Sequence, residues 1–493
     1  MNSETIYRIE QRKNNFMKAP QDHIGQRLNF AVHLRKNKRQ QAVIKYREKN
    51  INSELQAGKE EITIKGRLEF SFGAIEKLLN FIDQNNCKMV LNQILIICQS
   101  NQDLKILDFP NLVLRFTDFL DSIYEDEISE IAMTILMVLT SKISYNPMLY
   151  IDSLDLNKLV LCLNENKPKT SVKVFKTFAD LASDCSEMRE KIISLGIHKK
   201  LINYSYQTNN IKCLRITSEF IKSLAIDQKT LPHEVFELCL ATTKKFLMIK
   251  KTKITINSLT ALSLFCRENL RKIQAVINLG ILDDILKLCL HKNKQIQEAS
   301  IYIIGNISYG DPPQINELIE HNIFNYLIKT IDSHSNSVRK ETVYIISNII
   351  ASGNKYLQYL LEHEIIDKLI CKLEVDDYHF IKELSFVFYN SSHLANYRNF
   401  RVFVDKKVFY FIKGPLCSVN PVSIVNCLKF IIAVLKVYGE NDSMEAIESM
   451  EYTQCIDVVE SLCNNPNTTV QMIAEDILEF FKKDMAYEFS WNY

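Results

Sequence analysis

From about residue 70 to residue 485, apolar segments with a helical period alternate with short polar breaks. In VRKETVYIISNIIASG, residues 338–353, the apolar positions of one helix face are Val343, Ile346 and Ile350. Residues four apart lie on the same side of a helix, so Asn348 shares a face with Tyr344. Asparagine is a poor helix former because its side chain competes for backbone hydrogen bonds. The pattern predicts helices, and it leaves the aromatic–amide pair to be explained.

The aromatic–amide pair recurs on both sides of this segment. QEASIYIIGNISYG carries Tyr302 and Asn306, and IKELSFVFYNSSHLA carries Phe386 and Asn390. The three aromatic residues therefore stand 42 positions apart along the chain. A helical period of this size is typical of an armadillo or HEAT solenoid. We predict an all-α fold, a right-handed armadillo-repeat solenoid of about ten repeats of ~42 residues.

The composition agrees with a helical body. Glycine (11) and proline (10) are scarce, and 47 % of the residues are hydrophobic. The 13 cysteines form no C-x-x-C pair, and most lie in apolar helical patterns, as buried thiols do. No apolar run approaches the ~20 residues of a membrane span, because Lys429 and Lys436 interrupt the best candidate at 424–437. With no apolar signal segment at the N-terminus, we expect a soluble intracellular protein without a cofactor or metal.

The charge is distributed unevenly. Residues 1–50 contain 12 Lys or Arg and 4 Asp or Glu, whereas the whole chain carries a net charge of only +2. The remainder is therefore acidic. Residues 27–50 hold no glycine or proline, so they are predicted to form a basic helix. We divide the chain into a basic segment at 1–55, a linker at 56–69, armadillo repeats at 70–485 and a tail at 486–493.

Several segments resemble the importin-α family, the adaptors that carry proteins with basic nuclear-localisation signals into the nucleus. VRKETVYIISNIIASG resembles the family's repeated W-x-x-x-N helix, and LSLFCRE resembles its L-S-N-L-C-R run. FADLASDCSEMRE resembles G-N-I-A-G-D-x-S-x-x-R-D, and residues 451–481 are similar to the closing repeat. HLRKNKRQQAVIKYREKN resembles the segment that binds importin-β. These matches cover nearly the whole chain, in the family's order.

The resemblance implies a nuclear import adaptor. Its basic segment would bind an importin-β-type receptor, and its concave groove would bind cargo proteins through their basic signals. The receptor-binding residues implied are Arg27, Arg35, Lys36, Lys38, Arg39, Lys45 and Arg47. The groove residues implied are Tyr302, Asn306, Glu341, Tyr344, Asn348, Glu383, Phe386, Asn390 and Asp184. A nuclear export receptor for recycling and shuttling between cytoplasm and nucleus are implied as well.

In this interpretation the groove residues have complementary roles. Aromatic faces attract lysine ammonium groups, and amides can hydrogen-bond an extended peptide backbone. Glu341 and Glu383 would meet cargo lysines, and Asp184 would meet the pivotal one. The alternative is that the aromatics belong to the core, the amides bond locally and the glutamates lie on a solvated face.

The chain departs from the family in two places. Its only tryptophan is Trp491, so the groove tryptophans are missing. In the earlier repeats the aromatic position holds Lys176, Glu219 and Thr260, and the amide position holds Asp180, Ser223 and Leu264. The larger cargo site is thus expected to be lost or repurposed, with Lys176 repelling a basic peptide. Because the helical pattern persists where the pair is absent, packing is not expected to require the pair. In the family, a basic cluster in the N-terminal segment also occupies the empty groove and inhibits it. Here Tyr46 and Glu48 interrupt that cluster.

Other function classes are less favoured. The chain contains no G-x-G-x-x-G, P-loop, H-E-x-x-H or G-x-S-x-G motif, so an enzyme is not expected. A basic helix can bind nucleic acid or an anionic membrane, but the acidic body argues against nucleic acid, and no membrane partner is expected. The alternative function is an armadillo scaffold whose altered groove binds an unrelated protein partner.

Overall fold

The computed structural model describes residues 72–490, except 84, 101–109, 121–123, 141–154, 165–166, 228–230, 268, 364, 373–377 and 442–443. The chain divides into two units, Met1–Glu69 and Phe70–Tyr493. The predicted basic segment, its receptor-binding residues and the linker lie outside the described residues. So does Trp491 in the tail.

The described part of the second unit is helical and contains no strand. The first helices are α1 (Phe72–Asn80), α2 (Cys87–Ser100), α3 (Pro110–Asp118), α4 (Asp126–Thr140), α5 (Leu156–Leu161), α6 (Pro168–Asp184), α7 (Ser186–Ser194), α8 (Ile197–Gln207) and α9 (Ile211–Leu224). The next are α10 (His233–Leu247), α11 (Thr252–Phe265), α12 (Leu270–Ile277), α13 (Leu282–Leu288), α14 (Lys294–Ser308), α15 (Pro312–Glu320), α16 (Ile323–Thr330), α17 (Asn336–Ala351) and α18 (Asn354–Glu362). The last are α19 (Ile365–Lys372), α20 (Tyr378–Ser392), α21 (Tyr397–Asp405), α22 (Val408–Leu416), α23 (Pro421–Gly439), α24 (Glu445–Tyr452), α25 (Cys455–Leu462) and α26 (Thr468–Ser490).

One series of helices forms the spine of this unit. Each member packs against the next, and we call them the long helices: α2, α4, α6, α9, α11, α14, α17, α20, α23 and α26. From α12 onward, two shorter helices precede each long helix along the chain, and the second of the pair packs on it in most repeats, as α13 does on α14 and α25 on α26. Between α9 and α11 the single 15-residue helix α10 takes the place of such a pair. This repeated unit is an armadillo-like solenoid, as the period predicts. Segments 101–109 and 141–154 are not described, so the number of repeats stays a prediction.

The core lies between the long helices and the shorter ones. Val343, Ile346 and Ile350, the apolar face read from the sequence, are fully buried. Several long helices begin at an asparagine whose side-chain oxygen accepts backbone N–H groups of the first turn, as Asn210 and Asn293 do. Such caps satisfy donors that a helix start leaves unpaired. Helix starts and the buried face are thus encoded locally in each repeat.

The turn between the two short helices of a repeat has its own conformation. Gly196 and Gly280 adopt left-handed backbone angles there, with φ of 67° and 65°. Asn322, Lys407 and Gln454 occupy the corresponding turns later in the chain with φ of 55°, 56° and 55°. Only glycine adopts this conformation without a steric cost. The later repeats therefore keep the turn at some cost in stability.

Helix α23 is the one described helix that is long and apolar enough, by length and composition, to cross a membrane. It packs between α20 and α26, and it buries Phe430 and Ile431 completely. More than half of its residues are buried inside the protein. This is the packing of a core helix.

Candidate functional site

Each long helix has one side that the neighbouring helices do not cover. We call this side the open face, and the candidate site lies on it. In α17 the open face includes Lys340, Glu341 and Tyr344, which are half-buried between fully buried neighbours. Lys340 and Glu341 precede Tyr344 by four and three residues, so all three lie along one side of the helix. Because consecutive long helices pack together, their open faces lie side by side. Side chains at corresponding positions are therefore neighbours across the stack.

Three aromatic side chains occupy one row of the open face. Tyr302 lies on α14, Tyr344 on α17 and Phe386 on α20, and all three are half-buried. Neighbouring helices in contact stand 8–10 Å apart, so the rings follow one another at roughly that spacing. A half-buried ring is anchored by its packing while it offers part of its surface to a ligand. The structure thus places these predicted residues on one accessible row.

The side chains of the two predicted glutamates lie against the preceding long helix. Glu341 lies over Gly305 of α14, where a Cβ atom would overlap the glutamate carboxylate. Glu383 of α20 places its carboxylate oxygen 4.0 Å from the Lys340 ammonium nitrogen of α17. Only about a sixth of the Glu383 side chain is exposed, at 16 %. The open face of α14, α17 and α20 therefore carries carboxylates in the neighbourhood of the aromatic row, and one of them already faces a lysine.

The predicted amides bond to the helix before them. Each amide nitrogen donates to a serine in the preceding long helix, either to its backbone oxygen or to its hydroxyl. The bonds are Asn306 to the Ser263 carbonyl (2.7 Å), Asn348 to the Ser308 hydroxyl (3.1 Å) and Asn390 to the Ser347 carbonyl (2.8 Å). Asn348 and Asn390 are buried. The amides therefore do contribute to packing, contrary to the expectation that packing does not require the pair.

A fourth bond of this type was not predicted. The amide nitrogen of Asn426, in α23, donates to the Ser385 hydroxyl of α20 across 3.2 Å. Asn426 has no aromatic residue four positions before it. In the sequence, the signal for this bond is a serine at an apolar-face position about one repeat before the asparagine.

Asp184, the remaining predicted groove residue, ends α6. Its side chain lies outside the described residues, so its role stays a prediction.

The open face of the earlier repeats carries an ion network in place of aromatics. The Lys176 ammonium nitrogen of α6 lies 2.9 Å from the buried Asp180 carboxylate and 3.8 Å from the Glu219 carboxylate of α9. Lys173 bonds Glu130 of α4 across 2.8 Å, and this hydrogen bond holds the glutamate pKa below its usual value. The positive charge of Lys176, expected to repel basic peptides, is therefore compensated within the protein. Aromatic slots are absent from the described open face of α6, α9 and α11.

Farther along, the protein places one of its own lysines on a ring of this face. The Lys429 ammonium nitrogen of α23 lies 5.3 Å from the centre of the Tyr389 ring of α20. This distance is within the range of a cation–π contact. Neighbouring long helices can thus bring an ammonium group and an aromatic ring together on this face.

The described residues contain no group of three or more His, Cys, Asp or Glu side chains arranged to hold a metal ion. The groups that the candidate site presents are aromatic rings, carboxylates and amides.

Comparison with known proteins supports the fold and goes no further. No family model matches the chain, and no curated protein matches it. Among solved structures, an engineered protein from the Northeast Structural Genomics Consortium is similar with a TM-score of 0.71 and 16 % identity, over 83 % of this chain and 98 % of that chain. A designed armadillo repeat protein in complex with the peptide (KR)4 is 24 % identical over 49 % of this chain and 99 % of that chain, with a TM-score of 0.45. A computationally designed armadillo repeat protein for modular peptide recognition is 23 % identical over the same shares, with a TM-score of 0.46.

Proposed function

We propose that this protein is an armadillo-type adaptor that binds an extended, lysine-rich peptide on the open face of α14, α17 and α20. The observation that carries the proposal is the row of half-buried rings Tyr302, Tyr344 and Phe386 on three successive long helices. A regular row of rings suits a ligand that is itself regular. An extended polypeptide meets this condition.

The spacing of the row fits such a ligand. An extended peptide advances about 3.4 Å per residue, so the 8–10 Å between packed helices corresponds to two or three peptide residues. Lysine stems can lie between the rings with their ammonium groups near the ring faces. Each exposed contact of this kind contributes about 0.5–1 kcal/mol. The position of Lys429 over Tyr389 is an intramolecular example of the same contact.

Charge supports a basic ligand at these helices. Glu341 and Glu383 lie on the open face beside the rings. A peptide lysine approaching Glu383 has to displace or share the contact with Lys340. Tyrosine and phenylalanine are also weaker cation–π partners than tryptophan. We therefore propose modest affinity for a single short basic cluster.

In the fuller proposal, the peptide is a nuclear-localisation signal. Residues 27–50, with Arg35, Lys36, Lys38 and Arg39, would recruit an importin-β-type receptor. The protein would then shuttle between cytoplasm and nucleus and return with an export receptor. This part of the proposal rests on the sequence resemblance.

The first experiment measures peptide binding. A fluorescein-labelled lysine-rich peptide is titrated against the full chain and a Tyr344→Ala variant, with fluorescence anisotropy as the readout. Tyr452→Ala serves as the control, because Tyr452 is exposed on the short helix α24. We expect the dissociation constant to rise about two- to fivefold, or ~0.5–1 kcal/mol, for Tyr344→Ala alone. Equal affinity of all three proteins would refute the proposed site.

The second experiment measures receptor binding. A pulldown compares the parent with the variant Arg35→Ala, Lys36→Ala, Lys38→Ala, Arg39→Ala and with a deletion of residues 1–60. Both variants should lose an importin-β-type receptor. Deletion should improve lysine-rich peptide binding less than about tenfold, because Tyr46 and Glu48 dilute the basic cluster. Receptor capture that survives both changes would remove the import adaptor proposal and leave a peptide-binding scaffold.

The second candidate function is a scaffold that binds a different partner through the earlier repeats. The ion network of Lys176, Asp180 and Glu219 favours it, because it fills the positions that a basic peptide would use.

A further inference from the structure

Four exposed cations lie on the open face of three consecutive long helices, and we call them the basic row: Lys169, Lys212, Arg215 and Lys253. Lys169, Lys212 and Lys253 each occupy the second position of their helix, in α6, α9 and α11 respectively. Because α6 packs on α9 and α9 on α11, the three ammonium groups stand side by side along one edge of the stack. Arg215 continues the row one turn into α9.

The basic row is only weakly compensated in the described part of the chain, where the charge of Lys169 acts on the Glu130 carboxylate of α4. None of its four members forms an ion pair there. The carboxylates nearest in the same repeats have other cationic partners, because Asp180 and Glu219 face Lys176, and Glu130 faces Lys173. The positive ends of three helix dipoles add to the field at this edge. Most of the charge of the row is therefore directed to the solvent.

The basic row is also bounded. On one side α4 carries Glu127 and Glu130, and on the other α14, α17 and α20 carry Glu298, Glu341 and Glu383. Along the stack the open face thus changes from exposed cations to carboxylates, two of which, Glu298 and Glu383, face Lys294 and Lys340. The exposed cations stand out because the chain outside residues 1–50 is acidic as a whole. A positive patch on a body whose net charge is negative helps to determine which partner binds there.

We propose that the basic row binds an acidic polypeptide segment, rich in Asp and Glu or phosphorylated, in an extended conformation across α6, α9 and α11. Three helices 8–10 Å apart span roughly 20 Å, which an extended segment of about six residues covers. Between the cations lie the half-buried apolar side chains of Val172 and Ile256, which suit apolar residues interspersed in the ligand.

A polypeptide fits this surface better than a nucleic acid. Single-stranded nucleic acids bind to grooves that combine cations with aromatic platforms on which the bases stack. The described open face of α6, α9 and α11 offers no aromatic side chain. Acidic side chains, in contrast, need only ammonium and guanidinium donors, and Arg215 can bind a carboxylate or phosphate in bidentate fashion. The inference does not depend on the proposed function, because it concerns different helices and a ligand of opposite charge.

The test uses the full chain and a fluorescein-labelled, Glu-rich peptide of about ten residues at ~0.15 M salt. The variant Lys169→Glu, Lys212→Glu, Arg215→Glu, Lys253→Glu removes the basic row. The control variant Lys200→Glu, Arg271→Glu, Lys287→Glu, Lys329→Glu makes the same change in net charge at exposed positions of the short helices α8, α12, α13 and α16. Circular dichroism melting establishes that both variants are folded.

We expect the basic-row variant to bind the acidic peptide at least tenfold more weakly than the parent, and the control to stay within about threefold. Equal weakening in both variants would show non-specific attraction and overturn the proposal, as would failure of the parent to bind. An oligothymidine that binds more tightly than the peptide would assign the surface to nucleic acid instead. A lysine-rich peptide, measured in parallel, should bind the basic-row variant no more weakly than it binds the parent. This second measurement tests the proposed function independently, because the lysine-rich peptide is proposed to bind on other helices.

Discussion

The side-chain amide of Asn348 donates a hydrogen bond across 3.1 Å to the hydroxyl oxygen of Ser308, one long helix earlier in the stack. Both residues are buried. Corresponding asparagines bond the preceding helix at positions 306, 390 and 426. The helix therefore tolerates asparagine because the amide joins one repeat to the next. A bound peptide backbone would have to use the second hydrogen or the oxygen of the amide, or exchange the bond.

Replacement of Asn348 by alanine should lower the free energy of unfolding by about 1–3 kcal/mol. The change removes a buried hydrogen bond and leaves the Ser308 hydroxyl without its amide donor. Urea denaturation measures the change. The control is Asn325→Ala on the exposed side of α16, which should cost less than about 0.5 kcal/mol. Equal stability of Asn348→Ala and the parent would show that the bond between repeats contributes nothing.

Replacement of Lys407 by glycine should raise the free energy of unfolding by about 1 kcal/mol. Lys407 has a φ of 56°, a left-handed conformation that costs a residue with a Cβ atom and costs glycine nothing. The reciprocal change is Gly280→Ala, at a φ of 65°, which should lower stability by a similar amount. Thermal and urea unfolding of both variants measure the difference. A destabilising Lys407→Gly would mean that the lysine side chain contributes more than the turn costs.

The stability of the protein should decrease with acidification because of His198. This side chain is 2 % exposed, and burial lowers its pKa below the usual value. The unfolded chain therefore binds a proton at about pH 6.5, whereas the folded protein binds it only at lower pH. The stabilising effect of the neutral ring is complete above pH ~6.5 and is lost as the pH falls through the pKa of the folded protein.

The variant His198→Leu separates this effect from the titration of other groups. The stability difference between parent and variant, measured by urea unfolding at several pH values, should shift against the parent below pH ~6.5. A difference that is constant with pH would mean that His198 has an ordinary pKa in the folded protein.

The cysteines should separate into two classes by their reactivity with a thiol reagent. Cys371 and Cys417 are exposed, whereas Cys239 and Cys266 are fully buried and burial raises the pKa of each to about 12. Only the thiolate reacts, so the buried thiols should be modified only when the protein unfolds. DTNB should give a fast phase on the native protein that the variant Cys371→Ser, Cys417→Ser lacks. A fast phase that persists in this variant would contradict the assignment of the reactive thiols to Cys371 and Cys417, and it would come from the half-buried Cys162, Cys185 and Cys463 or from buried cysteines that become accessible.

The sequence predicts the elements of the fold well because the period repeats. The 42-residue spacing of Tyr302, Tyr344 and Phe386 indicated three equivalent helices, and the structure places these rings on one row. The apolar face of Val343 and Ile350 is buried as expected. In these cases the helix and its buried face can be predicted from the residues of one helix, or from residues at equivalent positions of successive repeats.

Contacts between neighbouring repeats could not be read in the same way. The partner of Asn348 is a serine forty residues earlier, and serine is common in the chain. Lys176 looked like a repulsive charge, although its nearer partner, Asp180, lies four residues later in the same helix and could have been read from the sequence. Its second partner, Glu219, lies on the next long helix. Such pairs depend on the register between packed helices, which a single sequence does not specify.

The central claim is that the open face has two halves of opposite preference, and the location of a bound peptide tests it most directly. A lysine-rich peptide with a photoreactive benzophenone at its centre is bound to the full chain, irradiated and mapped by mass spectrometry. The account predicts crosslinks to α14, α17 and α20, and it predicts that a Glu-rich peptide of the same design crosslinks to α6, α9 and α11. Crosslinks of the lysine-rich peptide to α6, α9 and α11 instead would contradict the account.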